Sequence, residues 1–197
     1  IKILEETGQR ENTLIVFTAD HGEHLGSHGL IRKTSFHYDE IIKVPLIMNF
    51  PGSLNQRRVS GLVELTDVYP TLLGLLNLPC NPGVQGIDWS QVLRENGEIG
   101  REDIYADMYN LDPMTHDTFS GYYDAVQTIR TEEWKLNVYS DGDLECSQLF
   151  DLKNDPGETT NRFNDPACRE IREQLLWRMT KRVHANADPL PLRLTQF

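Results

Sequence analysis

The sequence is poor in cysteine and in basic residues, and it has no apolar run long enough to span a bilayer. Its three cysteines, Cys80, Cys146 and Cys168, lack paired spacing, which argues against a disulfide framework or a zinc ribbon. Lys and Arg number 19 against 30 Asp and Glu, for a formal net charge of −11. Nucleic acids and anionic membranes bind basic patches, so neither is expected as a partner. An anionic substrate therefore requires a local cation or a metal.

The composition supports a folded core, because 39% of the residues are hydrophobic. A length of 197 residues suits one fair-sized domain or two small ones. Residues 1–7 have the pattern of a helix end stopped by Gly8. The first residue is Ile1, and we expect the chain to be part of a longer protein.

The stretch from Thr13 to Lys33 organises the chain. It opens with the continuous apolar run 14–17, which is typical of a strand buried on both faces of a largely parallel sheet. Asp20 and His21 follow the carboxyl end of this run, where open α/β sheets place their ligands. Three glycines and three histidines between residues 21 and 29 indicate a loop shaped around a ligand.

Five side chains of this stretch are candidates for chemistry. Asp20 and His21 are the leading metal ligands, because a carboxylate suits hard divalent ions and an added imidazole tolerates Ca²⁺ but suits Mn²⁺ or Zn²⁺ better. Lys33 is a candidate cation for neutralising a tetrahedral oxyanion. His24 is predicted to be structural. His28 is predicted to anchor the loop, or to contact and orient the metal ligands, rather than to bind the ion itself.

Ordinary explanations compete with each of these assignments. An Asp-His pair after a strand is often a cap beside a surface histidine, and a single lysine is usually solvated. Cys80 begins a segment similar to C-x-P-x-R, but Val84 replaces the arginine, so Cys80 is predicted to be structural. The irregular stretch 110–123 suits a pocket wall or, more simply, a surface loop. It contains Asp112, His116 and Asp117.

The pattern of apolar residues changes near residue 99. Before it, the sequence predicts a strand over 43–50, a helix capped by Thr66 and Asp67, and a short helix over 89–93. After it come four short alternating strands and a helix. These are predicted at 104–108, 125–130, 134–139, 148–152 and 167–183. The predicted fold class is α/β: the edge of a large, mostly parallel sheet with helices (1–98), then a small antiparallel sheet plus C-terminal helix (99–197).

Five segments together resemble the sulfatases of the alkaline-phosphatase-like superfamily. They occur in sulfatase order and at similar spacing, and they cover most of the chain from Thr13 to about Asn161. Each is weak alone, but the combination is specific. The segments are FTADHGEHLGSHGLIRK, KVPLIMNFPG, LVELTDVYPTLLGLLNLP, IRTEEWKLNVYSDGD and LFDLKNDPGETTN.

The resemblance implies roles for three residues. Asp20 and His21 match two protein ligands of a divalent metal, with Ca²⁺ as the first choice and Mn²⁺ as the alternative. Lys33 matches the lysine that contacts the sulfate and its bridging oxygen. The family's formylglycine nucleophile and two further aspartate ligands are expected upstream of Ile1, so the chain resembles the C-terminal portion of a sulfatase. Ile31 and Arg32 depart from the family pattern, which leaves the choice of substrate open.

The function that the resemblance implies is hydrolysis of sulfate monoesters, either small molecules or sulfated glycans. A phosphonate monoester or phosphodiester hydrolase of the same superfamily is an alternative, and a non-catalytic binding domain is another. The remainder of the catalytic domain is the expected partner, and oligomerisation is open. A periplasmic, secreted or lysosomal-type compartment is favoured over the cytoplasm.

Overall fold

The computed structural model describes residues 1–109, 125–139 and 146–186. The first half holds two strands and short helices, and the second half holds a four-stranded antiparallel sheet with the longest described helix. Besides the irregular stretch 110–123, the sequence predicts a turn over 140–143 and a loosely docked tail over 185–197. The stretch, the turn and residues 187–197 of the tail lie outside the described residues. The elements are α1 Lys2–Glu6, β1 Ile15–Thr18, α2 Asp39–Ile42, β2 Leu46–Asn49, α3 Val68–Leu75, α4 Ser90–Arg94, β3 Ile104–Tyr109, β4 Ala125–Arg130, β5 Trp134–Tyr139, β6 Gln148–Asp151 and α5 Arg169–Asn186.

The first sheet differs in detail from the prediction. The apolar run does form a strand, but the partner of β1 in the described residues is β2, and the two are antiparallel, with Val16 opposite Met48. Phe17 and Ile47, which are opposite each other, are each 60% exposed. Burial of β1 on both faces is therefore not found among the described residues. A continuous apolar run predicts a strand, but it does not identify which segments cover that strand.

The second sheet has the strand order β3-β4-β5-β6, with every neighbouring pair antiparallel. Side chains alternate between two buried sides, because successive residues of a strand point to opposite faces. On one side, Ile129 and Leu136 pack in a core with Leu175 and Met179 of α5. On the other side, polar residues of β4 and β5 meet the segment 34–42. The predicted antiparallel sheet and covering helix are confirmed.

Buried charges connect the two halves of the chain. Asp67, at the end of a 3₁₀ turn before α3, accepts hydrogen bonds from Arg101 at 2.7 Å and from the backbone N–H of Ile87 at 2.8 Å. Glu64 pairs with Arg101 at 2.8 Å and also with Arg182 of α5. The predicted division at residue 98 stays a prediction, and these ion pairs cross it. None of the described helices is long and apolar enough to cross a membrane.

Candidate active site

The candidate site lies in a cavity of about 650 Å³ between the end of β1 and strand β3. Asp20, His21 and Lys33, the residues predicted to carry chemistry, all line it. The other walls come from residues 34–44, from residues 61–66 and from β3, with Arg130 of β4. The structure thus brings the three predicted side chains to one concave surface of a size typical for small-molecule sites.

Asp20 presents a carboxylate two residues past the end of β1, and its side chain is 88% exposed. One carboxylate oxygen accepts the backbone N–H of His21 at 3.0 Å. Hydrogen bonds from the backbone N–H groups of His21 and of Asp20 itself lower the pKa of this carboxyl, and the nearby His21 ring adds a smaller effect. Asp20 is therefore an anion at neutral pH and a suitable ligand for a hard cation.

His21 is held in one tautomer by its neighbour. Its Nδ1 lies 2.8 Å from the carbonyl oxygen of Gly22, which can only accept, so Nδ1 carries the proton. Nε2 of the neutral ring keeps its lone pair and lies 3.6 Å from Oδ2 of Asp20. Bonds from metals to such atoms measure about 2.0 to 2.6 Å, so both atoms can bind one ion. The donor chemistry of the pair fits a divalent cation.

Gly22 fixes the position of this pair relative to α2. Its N–H donates to the carbonyl oxygen of Ile41 at 2.8 Å, and a Cβ at this position would meet the carbonyl oxygen of Glu40 at 1.8 Å. Only glycine permits this approach of two backbones. Within the described ranges, no group of three or more His, Cys, Asp or Glu is placed to hold a metal ion. The metal-ligand roles of Asp20 and His21 stay a prediction.

The other two histidines of the loop have structural surroundings. His24 is buried, and its Nε2 lies 2.9 Å from the hydroxyl of Thr34. His28 stacks on Tyr38 with ring centroids 3.7 Å apart, and its Nε2 lies 3.7 Å from a carboxylate oxygen of Glu40. His28 is outside the cavity lining. Its contacts support the predicted loop-anchoring role, and any effect on the metal ligands stays a prediction.

A buried ion cluster lies behind the segment 34–42, and sequence reasoning missed it. Lys135 of β5 is fully buried and pairs with Asp39 at 2.9 Å and with Glu158. Arg130 contacts the same Asp39 at 3.2 Å. Burial by itself raises the pKa of Asp39, but Lys135 and Arg130 outweigh burial, and the pKa lies below its ordinary value. The cluster attaches the wall of the cavity to the second sheet.

His37 also lines the cavity and was not predicted from the sequence. It is 5% exposed, and its Nδ1 lies 2.8 Å from the hydroxyl of Thr128. Burial, with a smaller contribution from nearby Lys135, lowers the pKa of His37 to about 4. No sequence pattern singles out His37, because its partner is 91 residues away.

Solved structures of other proteins share this fold. One, determined in complex with its substrate D-glucosamine-2-N,6-O-disulfate, superposes with a TM-score of 0.83 at 26% identity, over 96% of this chain and 38% of its own. A phosphonate monoester hydrolase from Silicibacter pomeroyi superposes with a TM-score of 0.80 at 30% identity, over 96% and 38%. The fold is therefore that of the alkaline-phosphatase-like superfamily, in its C-terminal part.

Sequence comparison identifies the family within this superfamily. Residues 26–185 match the family described as N-sulphoglucosamine sulphohydrolase, C-terminal, and the chain belongs to this sulfatase family. Arylsulfatase K from Gallus gallus is 34% identical over 166 residues, which cover 82% of this chain and 30% of that protein. The chain thus spans about a third of the length of the curated relatives it matches. The predicted family and fold class are confirmed.

Proposed function

We propose that this chain forms one side of the active site of a sulfatase that hydrolyses sulfate monoesters, with sulfated sugars as the substrate class. One observation carries the proposal: the Asp20 carboxylate and the His21 Nε2 lie 3.6 Å apart in a cavity that Lys33 also lines. The family supports it. So does the structural neighbour solved with a sulfated glucosamine.

Each of the three residues has a defined task in this proposal. Asp20 and His21 hold a divalent cation, with Ca²⁺ as the first choice and Mn²⁺ as the alternative. When bound, the cation supplies positive charge to the sulfate oxygens. Lys33 brings an ammonium group to the same cavity and neutralises negative charge that grows as the sulfur–oxygen bond breaks. The Gly22 carbonyl keeps the proton on Nδ1 of His21, so Nε2 keeps the lone pair with which it binds the cation.

The nucleophile is proposed to come from outside these 197 residues. The sequence contains no C-x-P-x-R or S-x-P-x-R element. The curated relatives are about three times as long as the matched region. We therefore propose that a formylglycine nucleophile and further aspartate ligands belong to another segment of a longer protein, the remainder of the catalytic domain.

Phosphonate monoester hydrolysis is the second candidate function, because a hydrolase of that specificity superposes with a TM-score of 0.80. The two candidates are separated by assaying the full-length protein that contains this chain on an aryl sulfate and on an aryl phosphonate monoester. We expect kcat/KM to be higher for the sulfate. Turnover of the phosphonate alone would favour the second candidate. Turnover of neither ester would favour a non-catalytic binding domain.

The assignment of Asp20 is tested by Asp20→Ala in the same protein. We expect bound metal and sulfate turnover to fall together, turnover by more than about 100-fold, because a lost ligand costs more than a lost supporting partner. Thermal stability changes little, since the side chain is 88% exposed. Glu23→Ala is the matched control, because Glu23 is an exposed carboxylate of the same loop outside the cavity lining. Normal turnover by Asp20→Ala would remove Asp20 from the site.

A further inference from the structure

His37 occupies the boundary between the proposed sulfate site and the second sheet. It lies four residues after Lys33, lines the same cavity, and contacts Thr128 in β4. In the proposed function, a sulfate group beside Lys33 and the cation held by Asp20 and His21 fills only part of this cavity of about 650 Å³. The remaining volume, towards β3 and β4, is available to the alcohol that the sulfate esterifies.

A chain of hydrogen bonds fixes which nitrogen of His37 carries the proton. Asn137 donates its Nδ2 to Gln148 at 3.1 Å, which turns its Oδ1 towards Thr128. Thr128 donates its single hydroxyl proton to that Oδ1 at 2.9 Å. The Thr128 oxygen can therefore only accept from His37, and the proton lies on Nδ1 at 2.8 Å. Gln148 is itself oriented by donating to Tyr38 at 3.1 Å.

The opposite nitrogen of His37 is consequently an acceptor. The low pKa keeps the ring neutral at physiological pH, so with Nδ1 protonated Nε2 has only a lone pair. Among the residues that the structure describes, Nε2 has no hydrogen-bond partner, and it is not one of the sealed-off buried atoms. A sulfate ester oxygen cannot fill this position, because two acceptors facing each other repel. Only a hydrogen-bond donor can pair with this nitrogen.

We propose that Nε2 of His37 accepts a hydrogen bond from a hydroxyl or N–H group of the alcohol part of the substrate. The site then selects sulfate esters of alcohols that carry such donors, as sugars do, over esters that lack them. An acceptor that loses contact with water on substrate binding and finds no donor on the substrate is costly, which makes this contact selective. This assignment deepens the proposed sulfatase function and rests on it.

The test compares two sulfates in the full-length protein: glucosamine 6-sulfate, whose alcohol carries hydroxyl and N–H donors, and 4-methylumbelliferyl sulfate, whose leaving group carries none. We expect His37→Leu to lower kcat/KM for the sugar sulfate about tenfold, the effect of one hydrogen bond, and to leave the aryl sulfate within about twofold. His37→Gln restores an acceptor and recovers part of the sugar activity. Thr128→Val removes the hydroxyl that fixes the tautomer of His37, and we expect it to lower kcat/KM for the sugar sulfate but not for the aryl sulfate.

A second readout does not require turnover. Nitrogen NMR of the wild-type protein at neutral pH is expected to show His37 with a protonated Nδ1 and an unprotonated Nε2. Equal loss on both sulfates, unchanged selectivity, or a proton on Nε2 would each overturn the assignment of His37. A wild-type protein that hydrolyses neither sulfate would overturn the sulfatase function, and this assignment with it.

Discussion

Lys33 supplies positive charge to a chain whose overall charge is −11. Lys33→Ala is expected to reduce sulfate turnover by about 10²- to 10³-fold, the range for loss of one group that stabilises developing charge. Metal content should be unchanged, because Asp20 and His21 are the proposed ligands. Elemental analysis and steady-state kinetics on the same preparation measure both quantities. Arg32→Ala, an exposed neighbour outside the cavity lining, is the control. Loss of metal with Lys33→Ala would contradict the assignment.

His37 gives the fold a defined response to acid. Its pKa is lowered from 6.5 to about 4 in the folded protein, so below pH 6.5 the unfolded chain binds a proton that the folded chain does not. The contribution of His37 to the free energy of unfolding is therefore fully present above pH 6.5, and it is lost as the pH falls towards 4. The loss amounts to about 3 kcal/mol at about 1.36 kcal/mol per pKa unit. Urea unfolding of the 197-residue chain between pH 7 and pH 4 measures it.

The matched variant for this pH response is His37→Gln, which cannot titrate. Its stability should fall less steeply between pH 6.5 and pH 4. A residual slope is expected from His24, whose pKa is also lowered, chiefly by burial. The carboxylate of Asp39 contributes below this window, because its pKa lies under the ordinary value of 3.8. Identical slopes in both proteins would show that His37 does not carry the response.

At the scale of elements, Lys135 in β5 attaches α2 to the second sheet. Lys135→Met leaves Asp39 and Glu158 buried without their shared cation and is expected to cost about 3 to 5 kcal/mol of unfolding free energy. Lys153→Met is the matched control, since Lys153 pairs with Glu133 while both side chains are more than half exposed. The control should cost less than about 1 kcal/mol. Equal costs in urea unfolding would contradict this role of Lys135.

Local patterns predicted most elements of the second half. Strands β3 to β6 and helix α5 lie at the predicted places, because alternation and helical spacing depend only on near neighbours. Helical spacing in the segment of α5 predicts an apolar stripe that includes Leu175 and Met179, and both residues are buried. The Asn, Asp, Pro and Gly residues of the segment 154–158 predict a turn that includes Glu158, and the turn is present. The buried pairing of Glu158 with Lys135, 23 positions earlier, was not predictable, because no local period encodes an ion pair between distant segments.

The candidate site was predictable where it is local in sequence. Asp20 and His21 are adjacent, and Lys33 closes the same loop. The apolar run of β1 and the loop after it were therefore enough to predict all three residues. His37 was missed because its function depends on β4, more than 90 positions later. The apolar run of β1 predicted a strand, which is present, but the segments that would cover it are not among the described residues. Both outcomes have one physical cause: burial and hydrogen-bond partners come from long-range contacts.

At the scale of the whole molecule, the sheet of β1 and β2 leaves apolar side chains uncovered. Phe17 and Ile47 are each 60% exposed and lie opposite each other. We expect the purified 197-residue chain to self-associate through this sheet, and to bind Ca²⁺ or Mn²⁺ weakly because Asp20 and His21 are a partial ligand set. It should hydrolyse no sulfate ester.

Light scattering, calorimetric titration with Ca²⁺ and Mn²⁺, and an aryl sulfate assay measure these three properties. Phe17→Lys is expected to reduce self-association without changing metal binding, since the side chain lies outside the cavity lining. A monomer that binds one ion tightly and turns over sulfate would show that the site is complete within these residues.

The cavity takes its walls from both halves of the chain. Asp20 and His21 follow β1, whereas Tyr105 and Asp107 belong to β3 of the second sheet. A mutation in β3 can therefore reshape one wall while the β1 loop keeps its backbone contacts through Gly22 and Ile41. Sequence drift in β3 can therefore change the shape of the cavity while the residues proposed to hold the cation keep their positions.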